Sequence, residues 1–406
     1  MKRNGYDASQ PPSRWLYSLI LHTLHGLTRI LLRSRVIKNA EIADIKGPII
    51  VLGNHPSYLD PVFMAASLWP RPIHFLTSAT FFRKPLIRHI LQRVRAIPKV
   101  QFRTDTQALK HMLRVIAAGE VLGIYPEGQR SPDGAAQPID EAIGKLVYRS
   151  ACTVVVVKTY GAYLSWPRWS TSWIRRGRVE ASSQILFRPE DFKLLNAAAV
   201  QKIITEAISF NEYDWQRERN IRFRSRAPAM SLHHLCHACP ACDRDLVIEA
   251  SGKSLRCRAC GMTAEMDACG FLHRIDSEGI VPESPLAWHQ WQIGRFNDQT
   301  GEVSQPGCLA VVEENQAELK DQRRGTIILT AEELVFQPDD HQTPVHFPIY
   351  NRAGFSADFG HHFELVLADR HYRLIPDNGQ SVIMFADRIR VRQLSRPEQG
   401  EESGLT

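Results

Sequence analysis

Long apolar runs are what this chain conspicuously lacks. The most apolar N-terminal stretch, residues 15–32, is interrupted by His22, His25 and Arg29, and no later stretch is longer or cleaner. A membrane-spanning helix needs about 20 consecutive, predominantly apolar residues, so none is expected. A secretory leader is not expected either. Lys2 and Arg3 stand near the start, but residues 6–13 are polar and proline-containing, and no small-residue cleavage site follows a compact apolar run. Internal repeats are absent. Cysteine is sparse: there are 8, and six of them fall between Cys236 and Cys269, leaving Cys152 and Cys308 isolated. That distribution excludes a chain-wide disulfide framework and implies a reducing, cytoplasmic setting. Excess acid is lacking too. The net charge is +7 and the pI is near 9.0, which favours an anionic partner: a phospholipid surface, nucleic acid, or a phosphorylated or CoA-linked substrate. Charge alone does not choose among these.

At 406 residues the chain exceeds the usual size of one domain, so two or three are expected, and a hydrophobic fraction of 44% suits a folded protein. Residues 14–36 place Trp15, Leu16, Leu19, Ile20, Leu24, Leu27, Ile30 and Leu31 at helical spacing, flanked by Arg14, Arg29, Arg33 and Arg35. The pattern fits a helix lying in a membrane interface and fits equally a helix packed on a core. Short β-branched runs at 48–53, 73–76, 121–125 and 153–159 read as buried strands, and 61–69 and 106–118 read as helices between them. Strands separated by helices predict an α/β sandwich around a central sheet. The expected domains are 1–228, a cysteine-bearing unit at 229–275, a β-rich unit at 276–396, and a polar, disordered tail at 397–406.

The segment Gly53-Asn54-His55-Pro56-Ser57-Tyr58-Leu59-Asp60-Pro61 sits where a buried strand gives way to a helix, the place where α/β proteins put their chemistry. A histidine takes a proton from a hydroxyl near neutral pH, and a carboxylate on its other nitrogen fixes the tautomer. His55 and Asp60 are close enough in sequence to pair in this way. The plainer reading makes Asp60 an N-cap before Pro61 and His55 a structural histidine. Further on, Tyr125-Pro126-Glu127-Gly128-Gln129-Arg130-Ser131 follows another buried strand. Its proline and glycine make a sharp turn, and Arg130 has the bidentate geometry that holds phosphate.

Taken together, Asn54-His55 with Asp60, then Tyr125-Pro126-Glu127-Gly128 with Arg130-Ser131, closely resemble the glycerolipid acyltransferase family that includes the 1-acylglycerol-3-phosphate acyltransferases. Between them, Arg95-Ala96-Ile97-Pro98 through Arg103 and Asp105 look like the family's intermediate motif, with Ala96 where a glycine is usual. The resemblance implies that Arg103 contacts the acceptor's phosphate, with Lys99 the competing candidate. The family's fourth motif is an apolar strand with a central proline; Val154 to Val157 supply the strand without the proline. The resemblance covers about the first half of the chain. It implies direct acyl transfer from acyl-CoA or acyl-carrier protein to a glycerol hydroxyl, with no covalent acyl-enzyme. In that scheme His55 is the base, Asp60 orients it, Gly128 N–H is an oxyanion donor, and Glu127 and Arg130 seat the acceptor. Arg83, Lys84, Arg88, Arg93 and Arg95 either attract anionic lipid or CoA phosphates or form an ordinary charged surface helix.

Cys239-Pro240-Ala241-Cys242 and Cys257-Arg258-Ala259-Cys260-Gly261 form two CxxC knuckles, and four thiolates so spaced suit tetrahedral zinc. They resemble zinc-ribbon modules. A rubredoxin-like iron site and a disulfide pair are the alternatives, and Cys236, Cys269 and His237 are bystanders to a complete set. A closed four-cysteine site leaves no open position, so its role is structural or partner-binding. Residues 325–329, 334–336, 363–367 and 372–374 read as strands, with turn signals at Asp339-Asp340, Asp369-Arg370 and Asp377-Asn378-Gly379 and a closing helix at 381–391. This architecture loosely resembles pleckstrin-homology-like or GRAM-like domains, and a plain β-domain fits it as well. The expectation is an α/β acyltransferase sandwich followed by a zinc ribbon and a β-rich domain, peripheral on the cytoplasmic face of a membrane. It would take a lysophospholipid acceptor and no nucleic acid. The alternatives are another lipid acceptor, or a zinc-ribbon adaptor with a degenerate acyltransferase domain.

Overall fold

The structure is a computed structural model that describes residues 6–100, 105–276, 279, 281–296, 301–312, 319–350, 355–367 and 370–395. Arg103, Asp369, Lys2, Arg3 and the tail from residue 397 lie outside the described residues. The chain divides into two compact units: one of Met1–Leu232, Ala250–Arg256 and Thr263–Leu286, the other of His233–Glu249, Cys257–Met262 and Ala287–Thr406.

The first 232 residues carry, in order, α1 (Arg14–Leu32), β1 (Arg35–Ile37), β2 (Ile49–Gly53), α2 (Asp60–Leu68), β3 (Ile73–Ser78), α3 (Pro85–Arg93), β4 (Ile97–Lys99) and α4 (Thr106–Ala117). There follow β5 (Val121–Ile124), α5 (Ala142–Ser150), β6 (Thr153–Tyr160), α6 (Ala162–Ser165), β7 (Glu180–Phe187), α7 (Ala197–Ile208) and α8 (Glu212–Arg219). The strands form one seven-stranded sheet in the order β1-β7-β6-β2-β5-β3-β4. β2 lies parallel between β5 and β6, and β7 runs antiparallel to β6.

Period-2 alternation explains the two layers. Ile50, Leu52, Leu122, Ile124, Val154 and Val156 point to one face, where Ala108, Met112 and Val115 of α4, Leu146 and Val147 of α5, and Val200, Ile204 and Ile208 of α7 cover them. Ile49, Val51, Val121, Val155 and Val157 point to the other, against Met64 and Leu68 of α2. Burying each such side chain is worth roughly 1.5–3 kcal/mol, so β2, β5 and β6 are the most firmly held strands. Gly53 closes β2 under α2; a Cβ there would stand 2.5 Å from Met64 Cε, so no larger residue fits without a shift.

The helix expected over 14–36 stops at Leu32, because Arg33 takes a left-handed φ of 45° and the chain turns into β1. Tyr17 and Leu21 of α1 pack on Ala65 and Ala66 of α2. Trp15, Leu19, Leu24, Leu27 and Ile30 of α1 are exposed, most of them turned away from that contact.

Next along the chain come β8 (Ile248–Ser251), β9 (Ser254–Cys257), β10 (Thr263–Met266) and β11 (Leu272–Arg274). β10 pairs antiparallel with both β9 and β11. The remaining elements are α9 (Pro285–Phe296), β12 (Val303–Val312), β13 (Leu319–Leu329), β14 (Glu333–Pro338), β15 (Val345–Pro348), β16 (Phe355–Asp358), β17 (His362–Leu367), β18 (Arg370–Pro376) and α10 (Ser381–Ser395). β12 to β18 make a fully antiparallel sheet in the order β15-β14-β13-β12-β18-β17-β16. Phe385 of α10 meets Phe363 of β17 edge to face at 5.6 Å.

Candidate active site

Three neighbouring parallel strands, β5, β2 and β6, end at the same edge of the first unit's sheet. The loops leaving them carry the residues picked out above. After β2, the Asn54 amide makes two hydrogen bonds to Thr159 on β6: Nδ2 donates to its carbonyl and Oδ1 accepts from its N–H, both at 2.8 Å. Asn54 is 1% exposed, so this pair fixes the chain's direction as it enters His55.

His55 and Asp60 come together. Nδ1 lies 2.8 Å from Asp60 Oδ2, and the Ser57 N–H donates to that same oxygen at 2.8 Å. The Asp60 carboxylate caps no helix amide of α2, so the plain N-cap reading is set aside by the geometry. Its side chain is 1% exposed and that of His55 19%. Burial pushes the Asp60 carboxyl well above its ordinary value, against the pull of the Ser57 N–H and Arg130. The two groups share a hydrogen bond between Nδ1 and Oδ2. The His55 imidazole is driven below its ordinary value of 6.5, first by burial and then by the positive charges of Arg130 and Arg168. Both effects favour the neutral imidazole, and Nδ1, not Nε2, is the nitrogen engaged by Asp60. Its ring stacks on Tyr125 at 4.2 Å.

After β5, the two oxygens of Glu127 accept from two distant backbone amides: Oε1 from His55 N–H at 2.9 Å and Oε2 from Gln137 N–H at 3.0 Å. Ser131 N–H also donates to the His55 carbonyl at 2.9 Å. Glu127 thus joins the two motifs directly. Burial pushes its carboxyl up to about 8, against those two N–H groups. Gly128 has φ +69°, a conformation that favours glycine. Its N–H, the expected oxyanion donor, donates to the Tyr125 carbonyl at 3.0 Å and closes the turn. Arg130 lies with its guanidinium carbon 3.2 Å from the centroid of the Tyr58 ring. Lys99 ends β4 and is exposed.

Two residues that the sequence reading passed over also bear on this edge. Glu212, fully buried, accepts from Gly161 N–H at 2.7 Å, while its own N–H donates to the Gly134 carbonyl at 2.9 Å, so it braces the loop after β6 against the loop after β5. Arg168 follows on the β6 loop, and its Nη1 reaches Gln129 Oε1 at 3.4 Å. The signal for this loop was its dense run of aromatics, Trp166-Pro167-Arg168-Trp169.

In the second unit the four knuckle cysteines converge. Their sulfurs all lie within 4.8 Å of one another, with Cys239 to Cys260 at 3.6 Å and Cys242 to Cys257 at 3.8 Å. A tetrahedral metal with bonds of about 2.3 Å requires sulfur separations of about 3.8 Å, so the set fits a thiolate-bound ion. Ala241 N–H donates to Cys239 and Ala259 N–H to Cys257, each at 3.4 Å, which tempers the negative charge on sulfur. The first knuckle is held from α9. Gln292 accepts from Ala238 N–H and donates to the Leu235 carbonyl, and Trp288 donates to the Ala238 carbonyl, all at 2.9 Å.

Residues 33–159 match the sequence model of the acyltransferase family. Three curated proteins are similar. The 1-acyl-sn-glycerol-3-phosphate acyltransferase of Bacillus subtilis is 21% identical over 97 residues, which is 24% of this chain and 49% of that protein. The chloroplastic enzyme BAT2 of the same name from Brassica napus is 24% identical over 134 residues, 32% and 38% of the two chains. The Borreliella burgdorferi enzyme of that name is 22% identical over 127 residues, 31% and 50%. The chain therefore spans half or less of the length of these relatives. Among solved structures, the 1-acyl-sn-glycerophosphate (LPA) acyltransferase PlsC of Thermotoga maritima superposes with a TM-score of 0.42 at 18% identity, over 52% of this chain and 83% of that one. His55, Asp60, Glu127 and Arg130 all fall inside the matched span, and residues 33–159 of this chain form a domain of the acyltransferase family.

Proposed function

We propose that this protein transfers a fatty acyl group from acyl-CoA or acyl-carrier protein to the free hydroxyl of a lysophospholipid, with 1-acylglycerol 3-phosphate as the reference acceptor. The observation that carries the reading is the His55–Asp60 pair at 2.8 Å, set at the ends of three parallel strands beside Arg130. His55 Nε2 takes the proton of the acceptor hydroxyl as its oxygen attacks the thioester carbonyl. Asp60 holds the imidazolium that forms. The tetrahedral intermediate then expels the thiolate, which takes the proton back from His55 and leaves as the free thiol. A thiol with a pKa of about 8.5 is a good leaving group, so positioning and a base are the main requirements. Arg130 seats the acceptor's phosphate. Glu127 is a positioning residue that acts through the His55 backbone. Arg103 remains assigned to the acceptor phosphate by resemblance alone.

The protein sits peripherally on the cytoplasmic face of a membrane. No helix among the described residues is long and apolar enough to cross one. On α1, however, Trp15, Leu19, Leu27 and Ile30 are 72%, 51%, 49% and 79% exposed on the side away from α2. A helix that buries one face and leaves a second apolar stripe bare fits the headgroup boundary of a bilayer, with Arg29 and Arg33 beside anionic lipid. The four-cysteine set is a structural zinc site: closed, thiolate-only and away from the dyad's sequence span. Zinc there would fasten the two knuckles to each other.

Three outcomes follow. His55→Ala lowers acyl transfer from a labelled acyl-CoA or acyl-carrier protein to 1-acylglycerol 3-phosphate by about 10²–10⁴-fold with an unchanged thermal midpoint; full activity in the variant would end the reading of His55 as base. Replacing Trp15, Leu19 and Ile30 together by serine reduces co-flotation with anionic vesicles, and equal flotation would remove α1 from the membrane contact. Elemental analysis of the purified chain finds one zinc ion, lost in Cys257→Ser; iron, or no metal, would contradict the assignment.

A further inference from the structure

Arg168 lies beyond the span that matches the acyltransferase family, on the loop that leaves β6. That loop is firmly built. Trp169 is 1% exposed and its Nε1 donates to the Tyr163 hydroxyl at 2.9 Å; Tyr163, itself fully buried, donates to the Pro132 carbonyl at 3.3 Å. Ser57 Oγ donates to the Trp166 carbonyl at 3.4 Å, which joins the loop to the His55 segment. Arg168 is thus presented from a rigid turn, and its contact with Gln129 ties it to the residue next to Arg130. Arg130 in turn lies over the Tyr58 ring, which also meets Trp166 at 5.0 Å. The two arginine-bearing loops thus meet through Gln129, Tyr58 and Trp166, and both guanidiniums act electrostatically on His55.

We propose that Arg168 and Arg130 together form a two-guanidinium seat for the phosphate monoester of the acyl acceptor beside His55, so that the site selects anionic acceptors over neutral ones. The inference rests on the acyl-transfer reading of the same site. A phosphate monoester carries about −1.5 to −2 charges at neutral pH, which matches two cations better than one. The chemistry supplies a second argument. A general base must become a cation when it takes the proton, and two neighbouring cations oppose that step. The groups facing His55 are Asp60, Arg130, Arg168, the Tyr125 ring and, at its backbone, Glu127. A dianion between the guanidiniums offsets their field and restores the basicity of Nε2. A neutral acceptor leaves the opposition in place.

Phosphate also occurs on coenzyme A, so the test has two ligand arms and needs no turnover. Calorimetric titration of the full-length chain is made with sn-glycerol 3-phosphate and separately with coenzyme A, for the wild type, Arg168→Gln and Arg168→Lys. Arg168→Gln is expected to weaken glycerol 3-phosphate by about 10-fold or more, with a smaller loss for Arg168→Lys and a change under about twofold for coenzyme A. Equal affinity for glycerol 3-phosphate in wild type and Arg168→Gln, no binding by the wild type, or a loss confined to coenzyme A would each overturn the proposal. A histidine-selective NMR titration supplies a readout that a merely structural role would not move. Removing the positive charge in Arg168→Gln raises the His55 pKa, whereas Arg168→Lys keeps it near the wild-type value. An unchanged His55 titration in Arg168→Gln, with the thermal midpoint intact, also counts against the proposal. Absent acyl transfer with sound binding would overturn the parent reading and leave the anion seat standing.

Discussion

The site depends on one buried carboxylate that grips two backbone amides. Glu127 accepts the backbone N–H of His55 with one oxygen and that of Gln137 with the other, and so fastens the loop after β2 to the loop after β5. Each bond is buried, the condition in which breaking it leaves polar groups unmet at a cost. With Asn54 bound twice to Thr159 and Ser131 bound to the His55 carbonyl, the backbone on both sides of the histidine is held from neighbouring strands. Only then can the short contact to Asp60 set the imidazole's direction. The dyad is local in sequence, but its geometry is imposed from a distance.

The electrostatics follow from the same crowding. Burial at this sheet edge raises Asp60, Glu127 and Glu212 and lowers His55, while Arg130 and Arg168 add positive charge. Glu127 and Glu212 are both pushed up to about 8, yet their contacts are backbone N–H groups, which favour the charged form. The folded state therefore holds carboxyls that are tuned by their surroundings and located where loops must be braced. Burial first, and then the positive charges of Arg130 and Arg168, favour the neutral form of His55 and oppose its taking up a proton.

Much of this was legible along the chain, for a clear physical reason. β2, β5 and β6 are buried on both faces, so they read as unbroken apolar runs, and the loops after β2 and β5 carry residue types with recognisable chemistry. His55 and Asp60 pair across one turn, which local spacing can reveal. In the sequence Glu127 reads as part of a turn, but its partners lie 72 and 10 residues away and are set by strand order, which spacing does not disclose. Gly128 was read as an oxyanion donor because a glycine turn exposes amides in general; here that amide closes its own turn. Arg168 and Glu212 carry no sequence signal, because a loop arginine and a helix-start glutamate look ordinary until the fold brings them near His55 and Gly161. The cysteine knuckles were plain from spacing, while α9, which holds the first of them through Gln292 and Trp288, is too evenly mixed in polarity to announce what it packs against.

The most direct test of the account is the protonation state of His55 in the resting protein. Nitrogen-15 NMR of histidine-labelled wild type, with His55 assigned by its absence in His55→Ala, reads both ring nitrogens at pH 7. The account predicts a neutral ring with the proton on Nδ1 and a bare, basic Nε2. A charged imidazolium at pH 7, or a proton on Nε2 with Nδ1 bare, would contradict it.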